Sequence, residues 1–127
     1  MSTTNNTPKK PAMTLEQRRS HFAWACVQGC DEAFVNLAKA APALIMNNGL
    51  MQTLCFYNAK KHDELLKHLR EWLIQRFPEE LSGVMCFESL MDKLLNNPNR
   101  QFYRQATEES LLVLRWIRQF AAAIGRK

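Results

Sequence analysis

The chain is short of the residues that let a sheet turn. Four glycines and five prolines in 127 residues fall well under the ~12% that these two average together. That leaves little for the hairpins of a sandwich or barrel, and there is no glycine loop of the kind that cradles a nucleotide phosphate. β-Branched apolar residues are also scarce, with four valines and four isoleucines against sixteen leucines and thirteen alanines. This balance favours helix over strand and predicts an all-α fold. Four cysteines are too few for a disulfide scaffold, so a reduced, cytoplasmic protein is expected. The longest apolar run, Ala40 to Met46, contains Pro42 and falls far short of the ~20 residues that cross a membrane.

What remains suits one helical domain of ordinary size. Residues 1–13 are polar, hold two prolines and show no apolar period, which predicts a flexible basic tail ahead of a single domain over 14–127. Thr14 and Gln17 form a capping-box pattern. Leu15, Phe22, Cys26, Ala33 and Leu37 then follow one helical line, predicting a helix to about Ala40 that Pro42 stops. A short turn over Ala43–Met46 would close at Asn47-Asn48-Gly49. Further helices are expected over Leu50–Lys60, from Asp63 to just before Pro78, from Ser82, and over Arg100–Ile124. In the helix from Ser82, Met85, Leu90, Leu94 and Leu95 should face inward. The architecture is a compact bundle of five or six helices.

The net charge of +5 is unevenly placed. Residues 1–30 carry +3, 57–78 carry +2 and 96–127 carry +4, whereas 79–95 carry −3. On a helical wheel Arg100, Arg104, Arg115 and Arg118 lie within ~60° of one another, opposite Phe102, Ala106, Val113 and Ile117. The four span ~27 Å of helix at 1.5 Å per residue. Arginine grips phosphate oxygens bidentately and stays charged, so this stripe is a candidate nucleic-acid contact. The solvated face of an amphipathic helix gives the same pattern, and Glu108 and Leu111 interrupt it. Lys9, Lys10, Arg18 and Arg19 form a second basic patch, in which Arg19 is expected to bury its stem and leave its head free. Lys60 and Lys61 are further candidates. Glu79, Glu80, Glu88 and Asp92 are candidates for a protein interface. Trp24 lies off the apolar line, so it either packs beneath another helix or serves an interface.

No motif for catalysis is present. Cys26 and Cys30 read as buried small hydrophobes, His62 and His68 fall on different sides of their helix, and no metal site or cofactor is expected. A DNA-reading helix-turn-helix across Asn48-Gly49 would need polar side chains on Leu50–Lys60. That segment is Leu50, Met51, Leu54, Cys55, Phe56 and Tyr57, a core helix.

Three stretches resemble one family. Asn47-Asn48-Gly49-Leu50-Met51-Gln52-Thr53-Leu54-Cys55-Phe56, with Lys60 after it, resembles an Asn-Gly-Leu…Gln-Thr-Leu…Phe…Lys signature. Glu16-Gln17-Arg18-Arg19 followed by Ala23 is similar to the family's opening helix. Tyr103-Arg104-Gln105-Ala106-Thr107-Glu108, leading to Trp116-Ile117-Arg118-Gln119-Phe120-Ala121, is similar to its closing helix. The family is the small α-helical subunit of the type III-B CRISPR effector, the Cmr complex. Cys55 departs from the small apolar residue expected there. The resemblance covers about residues 14–124 and implies a non-catalytic subunit that stacks beside backbone subunits and neighbouring copies of itself. It implies partners in guide RNA and target RNA, held through their phosphates. Two alternatives stand beside it: a protein–protein spacer with little RNA contact, and the small subunit of a related CRISPR type.

Overall fold

Thr14 starts the first helix in the computed structural model, which describes residues 12–125. Its Oγ1 accepts from the Gln17 N–H at 3.1 Å, while Gln17 Oε1 accepts from the Thr14 N–H at 2.8 Å. These bonds satisfy backbone donors that a helix start otherwise leaves free. The tail expected over residues 1–13 lies almost wholly outside the described residues.

Helix α1 covers only Leu15–Cys26, so the continuous helix expected to reach Ala40 is broken. Gly29 takes φ +71°, and the Cys30 N–H turns back to the Val27 carbonyl at 3.1 Å. Asp31 then starts α2, Glu32–Asn48, by accepting from the Phe34 N–H at 2.9 Å. The apolar line survives the break because α1 and α2 pack on the same partner, the last helix.

Pro42 does not end α2 but lies inside it. An interior proline costs about 3 kcal/mol through its missing donor and its ring. Yet Phe34, Ala38, Ala41 and Ile45 are all buried, so the apolar face runs past Pro42 without a change of phase. Its burial outweighs the lost bond, and the turn expected over Ala43–Met46 is simply the last turn of α2.

Gly49 ends α2 with φ +87° and ψ 162°, a conformation essentially reserved for glycine. Helix α3, Leu50–Ala59, begins at once and has no side-chain cap of its own. Instead the Met51 N–H donates to Tyr103 Oη at 3.0 Å, from a residue far along the chain. Leu50, Leu54 and Tyr57 are buried. Phe56, expected in the core, stands ~100° from Tyr57 on the helix and is 43% exposed.

Helix α4, Asp63–Arg76, buries Leu65, Leu66, Leu69, Trp72 and Leu73. Turns then carry Leu81 and Val84 into the core. Helix α5, Phe87–Asn96, starts later than Ser82 suggested. Ser89 Oγ, not Ser82, accepts the Met85 and Cys86 N–H groups at 2.9 and 3.0 Å. Leu90 and Leu94 are buried, but Met85 and Leu95, also expected inside, are 82% and 65% exposed. Helix α6, Arg100–Ile124, matches its expected ends, with Asn99 Oδ1 accepting from the Gln101 N–H at 3.0 Å. It packs against α1, α2 and α4 and buries Phe102, Ala106, Val113, Leu114, Ile117 and Ala121. The six helices share one core, and no strand occurs among the described residues.

Gly49→Ala is expected to lower the unfolding free energy by about 1–3 kcal/mol, since alanine cannot rest at that φ and ψ. Tyr103→Phe, which removes the acceptor for Met51, should cost about 1–3 kcal/mol. Urea denaturation measures both.

Candidate nucleic-acid interface

Helix α6 is held on three sides, so the orientation of its free face is fixed. Arg100, Arg104, Arg115 and Arg118 are all exposed on that face. Arg104 faces Glu108 at 3.7 Å with both side chains well exposed, a contact worth little in water. Arg100, Arg115 and Arg118 make no ion pair with the other described residues. Leu111, partly buried against the core, divides the stripe. The result is two basic clusters, Arg100–Arg104 and Arg115–Arg118, near the two ends of one rigid rod.

Arg19 is a correction: its stem is buried as expected, but its head is not free. Arg19 Nε donates to Glu109 Oε1 at 2.6 Å and its second amine donates to Glu109 Oε2 at 2.9 Å. The Trp72 indole N–H adds a bond to Glu109 Oε1 at 3.0 Å, and Arg76 Nε lies 3.1 Å from Oε2. Arg76 Nε lacks the angle of a hydrogen bond, so it contributes charge more than a directed bond. Glu16 joins the outer edge, accepting from Arg19 at 3.1 Å and from the Trp116 indole at 2.9 Å. Burial pushes the Glu109 carboxyl up, but bonds from Arg19 and Trp72 and the Arg19 charge outweigh it and hold it below its ordinary value. The bond to Glu109 holds Arg19 above its ordinary value. Sequence reasoning missed Glu109 as a partner for Arg19, because the two lie 90 residues apart and only the fold brings them together.

The other basic candidates are scattered. Arg18 is exposed on α1, and Lys60 and Lys61 are exposed at the α3–α4 corner. Lys61 borders a groove with Asp31, Asp63 and Glu64, so local acids offset its charge. Lys9 and Lys10 lie outside the described residues. Lys39 was missed by sequence reasoning because it stands alone in an apolar stretch. The fold sets it with Arg118 along a groove of about 490 Å³ between α2 and the end of α6.

A different face carries the acids. Glu88, Asp92 and Leu95 are all exposed on α5, and their i, i+4, i+7 spacing puts them on one face, with the leucine one turn beyond the two carboxylates. Glu79 and Glu80 fall in the preceding turns, not on that helix, and Glu80 is half-buried. Trp24 is 47% exposed yet rests edge-on against Phe120, with ring centroids 5.1 Å apart. It is a surface aromatic with one side packed.

The groups that carry chemistry elsewhere are quiet. Cys26 is buried, and burial with the nearby Glu71 and Glu64 charges pushes its thiol up to about 12. The imidazole of His68, set edge-on to Phe34, is pushed down by burial. Among the described residues no three His, Cys, Asp or Glu side chains gather as metal ligands. No described helix is long and apolar enough to cross a membrane.

Glu109→Gln should cost about 3–5 kcal/mol at neutral pH, because it leaves buried guanidinium charge uncompensated. The wild-type carboxyl titrates lower folded than unfolded, so its stabilisation is complete above the ordinary carboxylate range. It is lost as pH falls through the folded value. The gap between wild type and variant in urea melts should therefore narrow below about pH 4; a constant gap down to pH 3 contradicts this.

A family model described as CRISPR-associated protein (Cas_Cmr5) matches residues 15–124. That span runs from the first residue of α1 to the last of α6, and so takes in the capped α1, the Gly49 turn and the arginine-bearing helix alike. The chain belongs to this CRISPR-associated family of type III-B Cmr small subunits.

Proposed function

We propose that this chain is a non-catalytic subunit of a cytoplasmic Cmr effector, serving antiviral defence, and that it holds guide and target RNA through their phosphates. The observation that carries this is the exposed face of α6, where Arg100, Arg115 and Arg118 lack acid partners among the described residues. Sequence-blind binding needs cations at phosphate spacing on a rigid support, and it needs no base-edge readers. Family membership makes RNA the fitting polyanion, since a Cmr complex works on RNA through guide pairing.

The α5 face supports a second contact in the same subunit. An exposed leucine one turn beyond Glu88 and Asp92 suits a neighbour whose surface sets a basic patch beside an apolar one. In this reading α5 docks a backbone subunit or a second copy while α6 faces the RNA. No chemical step falls to this chain.

Reversing Arg100, Arg104 and Arg118 to Glu should weaken target-RNA binding by the assembled complex and lower its salt slope, leaving the chain's thermal melt unchanged. Each phosphate contact removed should take about 0.7 from the slope of log K against log salt for single strands. Filter binding at several salt concentrations reads this, and an unchanged slope and affinity would remove the stripe from RNA binding. Reversing Glu88 and Asp92 to Lys should instead release the subunit from the complex in co-purification while its own fold persists.

A further inference from the structure

The groove between α2 and α6 adjoins the arginine face but is lined by more than cations. Its volume of about 490 Å³ lies within the ~300–1,000 Å³ of small-molecule sites. Lys39 and Arg118 put two cations on its walls, and neither makes an ion pair with the other described residues. Asn36 and Gln119 add amides, each of which donates and accepts. Val35 and Ala122 supply aliphatic surface, and Glu32 brings a carboxylate. A track for a phosphate backbone requires only the cations. Amides, an apolar wall and a carboxylate are groups that meet the face and edge of a base.

We propose that this groove receives one nucleotide of the RNA strand that runs along the α6 arginines, with its base turned inward. The proposal rests on the RNA-holding reading above and says where the strand is gripped. Arg118 belongs to both features, so a strand passing from Arg100 to Arg118 arrives at the groove. Its phosphate sits with Lys39 and Arg118. Glu32 repels the phosphate and accepts from a base N–H, which fixes which end of the nucleotide enters. Asn36 and Gln119 bond the base edge, while Val35 and Ala122 contact its face. Every base offers a donor on its pairing edge and an amide adapts to donor or acceptor, so the groove grips without selecting a sequence.

The test uses the full chain, a short fluorescein-labelled single-stranded RNA and an abasic ribose-phosphate oligomer of the same length. Anisotropy is read across a salt series. Asn36→Ala with Gln119→Ala should weaken the RNA about tenfold, the loss of roughly one base contact, with abasic binding, salt slope and thermal melt unchanged. Arg100→Ala with Arg104→Ala should weaken both probes alike and lower the slope. If the amide variant binds RNA as well as the parent, or loses both probes equally, the groove proposal is overturned while the stripe result still supports RNA holding. If the arginine variant binds as the parent does, or the parent binds neither probe at low salt, RNA holding falls and the groove with it.

Discussion

A buried carboxylate sets the geometry on which everything else here rests. Glu109 sits in α6 with its side chain 5% exposed, and an ionised group that deep is tolerable only when its oxygens are satisfied. Arg19 from α1 supplies a two-pronged bond, Trp72 from α4 a third bond and Arg76 further positive charge. Three helices are thereby fixed around one point, and the rotation of α6 about its own axis is fixed with them. With Glu109 turned inward, the arginines on the far side of α6 have nowhere to face but outward. One arginine is spent inside so that others stand in fixed positions outside.

This division also explains why the sequence misplaced the head of Arg19 yet set the α6 arginines on the surface, where they stand. Arg18 and Arg19 are adjacent and chemically equal, yet one is exposed and the other pairs with a residue 90 positions away. No local pattern distinguishes a buried pair of that range. The α6 arginines were legible because a long amphipathic helix fixes its own inside and outside, whatever surrounds it.

The same contrast runs through the fold. Helix α6 was readable from end to end because Asn99 and Gly125 mark its ends and its apolar face is regular. Helices α1 and α2 were read as one because their apolar lines coincide on a shared partner, which hid the break at Gly29. Pro42 misled for the opposite reason: local chemistry argues for a stop, and burial of Ala41 and Ile45 overrides it. Ser82 has the chemistry of a cap, but Leu81 and Val84 turn into the core around it, so α5 starts only at Phe87, with Cys86 as its N-cap and Ser89 in its first turn. Tyr103 capping α3 is a long-range hydrogen bond, invisible in spacing, that ties the glycine turn to the arginine-bearing helix.

The surface that results keeps two chemistries apart, with exposed arginines on α6 and, on α5, an exposed leucine one turn beyond Glu88 and Asp92. Mapping ultraviolet cross-links within the assembled complex, with 4-thiouridine placed along the guide and target strands, tests this most directly. The account predicts adducts on the α6 peptides carrying Arg100, Arg104, Arg115 and Arg118 and none on α5 around Glu88 to Leu95. Adducts confined to α5, or absent from this subunit altogether, would contradict it.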